Sequence, residues 1–322
     1  MLTVPVAWAR EGSGFTLLFE ALVCSLAPHM PVSRLAQQLR EHDTRIWRVL
    51  RHYVERARAL EDHSDVTVVG MDETSSRRGH NYVSVFMDLT PGRRRVLYAC
   101  KGRDSAAVGA FALDLAAHGG DPDSVTHVCC DMSQAYISGI RTSLKKAQIT
   151  FDRYHLIAQL NKAVDLVRRA ESKTCPELKG TRYLWLKNAD NLSERQAEEL
   201  AWLVRPSSRL ATMRAWRWRA DFEMFFYSET AEHAEAFLRR WCRGALRSRL
   251  EPLKDFVRLV ERHWDGILAW HTAPISNGVL EATNSLIQAA KRKARGYSNP
   301  DNLICMIYLV AGRLPLPNPH RA

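Results

Sequence analysis

A mixed α/β sheet, preceded by a helical bundle and interrupted by a long all-helical stretch, is the architecture this chain predicts. Three observations predict it. Residues 15–59 carry helical periodicity, residues 65–151 break into short β-type runs separated by turns and helices, and residues 156–273 return to an almost unbroken helical pattern.

The first block reads as three helices. The second spans residues 32–39, the third starts at an Asp43 N-cap, and Arg40, Glu41 and His42 make the turn between them. In the third helix Ile46, Trp47, Leu50, Tyr53 and Val54 recur at helical spacing, while Arg45, Arg48 and Arg51 share the opposite side. A helix-turn-helix with an arginine-lined recognition helix fits this pattern, and so does a plain three-helix bundle with solvated arginines.

Residues 66–71, 82–89 and 95–99 are predicted strands, with Gly79-His80-Asn81 and Pro91-Gly92 marking antiparallel hairpins. A helix over 105–118 stops at Gly119-Gly120, and a strand over 125–130, a helix over 133–146 and a strand over 148–151 follow. Hairpin-linked strands followed by helix and strand in alternation call for a mixed sheet covered by helices. In the helical stretch Ser193-x-x-Gln196 has the form of a capping box, and Pro206 and Pro252 mark helix boundaries. Trp216 and Trp218 suit core packing, or base stacking among Arg214, Arg217 and Arg219.

The final helix begins near Ser276 or Asn277 and runs through Arg295, with Gly296 at C′. At about 100° per residue, Glu281, Asn284, Gln288, Lys291, Arg292 and Arg295 fall within an arc of about 100°. Val279, Ala282, Leu286, Ala289 and Ala290 occupy the other side and are expected to pack on the sheet.

Composition narrows the chemistry. The 322 residues suffice for about two domains, and 46% apolar with 25% charged residues is ordinary for a globular protein. No C-x-x-C occurs among the seven cysteines, so neither a zinc site nor a disulfide framework is expected. No apolar run approaches the roughly 20 residues of a membrane span, and the opening residues do not read as a signal peptide, so a cytoplasmic location is expected. The formal charge of +11 suits a polyanion. Because the cations are spread over several helices, nucleic acid is favoured over anionic lipid.

Three acids are singled out. Asp72 follows Val68-Val69-Gly70-Met71 and Asp131 follows Val128-Cys129-Cys130, so each is expected at the end of a buried strand; Glu281 opens the basic helix. On adjacent strands the two aspartates would converge, and with Glu281 they would hold two Mg2+ or Mn2+ ions against phosphate oxygens. Each aspartate equally suits a turn or helix cap, and Glu73, Asp88, Asp104, Asp123 and Asp152 compete for the role.

Five motifs, in order, carry a resemblance: Gly70-Met71-Asp72-Glu73, Gly79-His80-x-Tyr82-Val83, Asp131-Met132-Ser133-x-Ala135-Tyr136, Phe151-Asp152-Arg153-Tyr154-His155 and Asn277-Gly278-x-x-Glu281-x-x-Asn284. Over residues 15–310 the chain resembles bacterial insertion-sequence transposases of the DDE class, most closely the insertion-sequence L3 family. The resemblance implies an RNase H-like α/β core interrupted by a large all-α insertion, with Asp72, Asp131 and Glu281 as catalytic, metal-holding acids. It divides the chain into a helix-turn-helix region (1–62), the first part of the core (63–155), the insertion (156–275) and a C-terminal core segment (276–322). It makes Arg45, Arg48, Arg51, Asn284, Gln288, Lys291, Arg292 and Arg295 candidates for DNA contact, and His155 a candidate auxiliary residue.

The implied partners are double-stranded DNA, as terminal inverted repeats and target, and further copies of the chain assembled on that DNA in a prokaryotic nucleoid. Family members usually begin with a cysteine-rich zinc-binding segment, and its absence ahead of the helix-turn-helix leads us to expect a truncated copy. A catalytically silent DNA-binding remnant and a structure-selective nuclease of the same fold stand as alternatives, with an RNA-cleaving enzyme behind them.

Overall fold

The computed structural model describes residues 6–76, 81–90, 92–187, 189–205, 208–273 and 277–319, with backbone alone at 189, 277 and 278. Gly79 and His80 of the first predicted hairpin, Pro91, Pro206 and Ser276 lie outside the described residues. The chain forms two compact units, one of Met1–Ile149 with Ile275–Ala322, the other of Thr150–Pro274.

In the first unit α1 (Leu17–Leu26), α2 (Val32–Leu39) and α3 (Asp43–Arg58) pack together. Arg40 ends α2 in the left-handed region at φ 55°, which aims the chain straight into α3. The cap of α3 is His42 and not Asp43: His42 is extended and its Nδ1 accepts from the Thr44 N–H at 3.4 Å, leaving Asp43 in the first turn. Glu20 of α1 is fully buried, yet it accepts from Arg10 and Tyr53 at 2.8 Å each and from Ser13, which ties the N-terminal arm to the bundle.

The sheet holds β1 (Val68–Ser75), β2 (Tyr82–Asp88), β3 (Arg95–Lys101), β4 (His127–Cys130) and β5 (Gln148–Phe151) in the order β3-β2-β1-β4-β5. The β1–β2 and β2–β3 pairs are antiparallel and β1–β4 is parallel, so the sheet is mixed as expected. Helices cover both faces. On one, α4 (Ser105–Ala117) stacks Phe111 on Phe86 with ring centroids 4.4 Å apart, and α5 (Gln134–Ser143) sends the Tyr136 hydroxyl to Ser84 at 2.7 Å. On the other, Val83, Val85 and Met87 join a core with the three N-terminal helices, α13 (Asn277–Lys293) and α14 (Pro300–Ala311).

The second unit is helical beyond the end of β5 among the described residues: α6 (Arg153–Glu171), α7 (Arg182–Leu186), α8 (Glu194–Leu203), α9 (Ala211–Phe222), α10 (Ala231–Leu246), α11 (Glu251–Arg262) and α12 (Trp264–Leu268). Ser193 and Gln196 form the expected capping box, and Pro252 sits in the first turn of α11. Glu171 accepts from the Ala211 and Thr212 N–H groups and the Thr212 hydroxyl at 2.7–2.8 Å, capping α9 from another helix. Trp216 meets the buried Trp185 edge-on, and Trp218 meets Trp241, so both are packing residues in this unit.

Candidate active site

β1 carries the first acid, though not as its terminal residue. The strand continues past Asp72 to Ser75, because antiparallel pairing of Asp72 with Val85 and of Glu73 with Ser84 satisfies a polar tail that strand propensity alone disfavours. Its other neighbour, β4, stops at Cys130. The parallel register sets Val69 beside Val128 and Gly70 beside Cys129, and Asp72 and Asp131 each follow that last pair by two residues. Asp72 thus stands where one flanking strand has ended, which leaves room beside it.

The Asp72 face of β1 is covered by α13. Leu280 lies against Gly70, the Asn284 Nδ2 donates to Asp72 Oδ2, the Gln288 Nε2 donates to Thr74 at 3.0 Å, and Lys291 reaches the Ser75 hydroxyl at 3.3 Å. Four residues of helix rise about 6 Å and two residues of strand about 6.6 Å, so the two elements keep step when they run alongside each other. Past the helix, Gly296 at φ 92° lets the Tyr297 N–H donate to Ser76 at 3.0 Å, closing the far end of the seam.

The seam corrects the expected orientation of α13. Val279 and Ala290 are buried as predicted, but Ala282, Leu286 and Ala289 are exposed, Leu286 by 52%. The amide face packs inward because the sheet beneath it ends in Asp72, Thr74 and Ser75, which need hydrogen-bond partners. Glu281 is exposed one residue beyond Leu280, as are Arg292 and Arg295. The helix ends at Lys293, and Arg295 is left-handed at φ 57°.

Asp131 Oδ1 accepts from the Ser133 N–H at 2.9 Å, and Asp72 Oδ1 from the Glu73 N–H at 2.7 Å, so both serve local turns as well. Among the competitors, Asp104 and Asp152 cap α4 and α6. Glu73 belongs to the opposite face, 3.7 Å from Arg103. Tyr136 is the residue that sequence reasoning missed here. Burial, together with the charges of Glu73, Asp131 and Asp72, pushes its phenol well above the ordinary tyrosine range, so it stays a neutral donor or acceptor under the acids. The oxygens of Asp72, Asp131 and Glu281 do not form a threesome within 4.8 Å; among the described residues that closeness belongs to His63, Asp114 and His118.

The predicted DNA-facing arginines of α3 all have internal partners. Arg45 pairs with Glu41 at 2.5 Å and stacks 4.2 Å from the Phe15 ring centroid, Arg48 donates to the Ser13 carbonyl at 2.8 Å, and Arg51 donates to Asn302. On the helix-turn-helix surface Arg34, Gln37, Gln38, Thr44 and Arg48 are exposed. His155 lies in the helical unit, 3.8 Å from Asp152. No helix among the described residues is long and apolar enough to cross a membrane.

A helical bundle ahead of a mixed sheet is the arrangement the sequence motifs led us to expect, and comparison with known proteins identifies the family. Residues 69–307 match a family described as transposase, of the DDE and ISL3 type, and residues 4–54 match the helix-turn-helix domain of transposase family ISL3. The chain belongs to the ISL3 family of insertion-sequence transposases. It is 28% identical, over 98% of its own length and 77% of the relative's, to the transposase for insertion sequence element IS1557 of Mycobacterium tuberculosis. It is 29% identical to the transposase for insertion sequence element IS1001 of Bordetella parapertussis, over 74% of this chain and 60% of that one.

Proposed function

We propose that this transposase hydrolyses phosphodiester bonds at the ends of its element and joins the freed 3′-hydroxyls to target DNA, with Asp72, Asp131 and Glu281 as the acids that hold divalent metal. The observation that supports the reading is the β1–β4 register, in which Gly70 pairs with Cys129 two residues ahead of Asp72 and Asp131, together with the hydrogen bond from Asn284 of α13 to Asp72. An all-oxygen donor set at the open end of a strand pair fits Mg2+ or Mn2+. When bound, such an ion supplies charge neutralisation at the attacked phosphate and a more acidic attacking hydroxyl. Asn284 holds one Asp72 oxygen and thereby orients the other, while exposed Glu281 completes the donor set from the first turns of α13.

The sheet order and its helical covering support an RNase H-like core, split between residues 63–155 and 276–322 by an all-helical insertion over 156–275. Residues 1–62 bind terminal-repeat duplex through the exposed residues of α2 and the start of α3, Arg48 among them; Arg45 and Arg51 support that surface from within. Arg292 and Arg295 approach phosphate near the acids, and Gln288 and Lys291 set the seam. Two element ends call for at least two copies on the DNA, within the nucleoid.

The test is cleavage of a labelled terminal-repeat duplex with Mg2+ or Mn2+. Asp72→Asn, Asp131→Asn and Glu281→Gln should each abolish nicking and joining while DNA binding persists, and binding should fall steeply with salt. Nicking at the wild-type rate by all three variants would refute the assignment.

A further inference from the structure

Away from the acids, the loop leading into β1 and the end of α4 bring together His63, Asp114 and His118, whose donor atoms all lie within 4.8 Å of one another. We infer that these three residues form a second metal site, for an imidazole-preferring divalent ion such as Zn2+, Co2+ or Ni2+. It is independent of the metal proposed for Asp72 and Asp131.

The first reason is an unusual histidine. His63 is fully buried, and neither ring nitrogen has a hydrogen-bond partner, although a buried imidazole ordinarily satisfies at least one. Its ring centroid lies 4.8 Å from that of His118. The arrangement is built into the backbone: the His63 N–H donates to the His118 carbonyl at 2.9 Å, and Gly120 packs so tightly that a Cβ there would meet the His63 carbonyl oxygen at 2.7 Å. Two imidazoles are thus held side by side for a purpose that packing does not explain.

The second reason is the shell around them. Asp114 and His118 are an i,i+4 pair, the spacing that puts two ligands on one helix face. His118 Nδ1 lies 2.8 Å from the Asp114 carbonyl oxygen; donation there fixes the tautomer and leaves Nε2 with its lone pair, as metal-binding histidines commonly do. Arg58 donates to both Asp114 oxygens at 2.8 and 3.0 Å, which orients the carboxylate without using all its lone pairs. Glu61, its side chain almost fully covered, stands 3.8 Å from His63 Nε2 and offsets Arg58 and Arg95, the two cations that oppose a metal here. Tetrahedral zinc needs donors about 3.3 Å apart, so the three side chains draw together when an ion binds. His118 also lines an open cavity of about 540 Å³ with Arg51, Arg58, Glu55 and Tyr308. The cysteine pattern gives no sign of such a site, because no cysteine takes part.

The site is tested in full-length protein carrying Asp72→Asn and Asp131→Asn, titrated with Co2+ and with Zn2+. One equivalent of Co2+ should bind with a visible spectrum free of thiolate charge transfer, and Zn2+ should raise the unfolding temperature. His118→Gln, at a partly exposed position, should weaken both ions at least tenfold and abolish the thermal shift; Asp114→Asn, less disruptive than truncation, should do the same. Absence of saturable binding, a thiolate spectrum, or affinity unchanged in both variants would overturn the proposal.

Discussion

Replacing Gly70 by alanine tests the seam between β1 and α13 with a single carbon. The new methyl would lie 2.9 Å from Leu280 Cδ1 and from Leu89 Cδ1, and 3.0 Å from Leu89 Cδ2, where carbon atoms ordinarily rest about 3.5–4.0 Å apart. Leu280 and Leu89 are both buried and cannot swing into solvent. Overpacking of this kind costs about 1–3 kcal/mol, and the loss of glycine's freedom in the unfolded chain returns about 0.4–1 kcal/mol. The net is at most about 2–3 kcal/mol, or a fall of up to about 4 °C in unfolding temperature for a protein of this size. Thermal unfolding followed by circular dichroism reads that change. Pairing it with Leu280→Ala isolates the contact: alone, Leu280→Ala should cost about 2–5 kcal/mol, and in the Gly70→Ala background noticeably less, because the crowding has gone. Strict additivity in the double variant would refute the close approach.

Asn284→Ala removes the donor to Asp72 in a half-buried setting; at about 1 kcal/mol it should slow strand cleavage roughly five- to tenfold in a nicking assay, and Asn284→Asp should slow it further by setting a second negative charge beside the first. Burial pushes the Glu20 carboxyl up, but hydrogen bonds from Arg10, Ser13 and Tyr53 outweigh it and leave the pKa lowered. Its contribution to stability is therefore full above the ordinary carboxylate range and lost as pH falls below about 4.3, so Glu20→Gln should flatten acid unfolding in that window. Glu171→Ala uncaps α9 at a cost of about 2 kcal/mol, and hydrogen exchange should show α9 opening while β1 and β2 keep their protection.

Strands and helices were legible wherever a periodic run met a glycine or a cap, as at Gly119, where φ is 82°, and at Ser193. The tail of β1 was not, because Asp72-Glu73-Thr74-Ser75 has poor strand propensity and owes its extension to β2, a separate segment of the chain. The face of α13 was misread for a related reason. Amphipathic arithmetic assumes that the apolar side turns inward, and here the underlying strand presents polar groups. The acids were findable because apolar runs lead into Asp72 and Asp131, whereas the arginines of α3 carried no sign of their contacts with Ser13 and Asn302. Tyr136 stood in a motif without a role, and it, His63 and His118 gain one only once distant segments are folded together.

The matched stride of α13 and β1 makes the pairing of Leu280 with Gly70, Asn284 with Asp72 and Gln288 with Thr74 a property of two backbones, not of the side chains that happen to line them. Substitutions on either element leave that ruler unchanged, so sequence can drift widely around Asp72 while the alignment holds. An insertion of one residue is a different event. Placed between Leu280 and Asn284, it would turn the rest of α13 by about 100° and carry Asn284 away from Asp72. Change in this part of the molecule is thus free in letter and restricted in length.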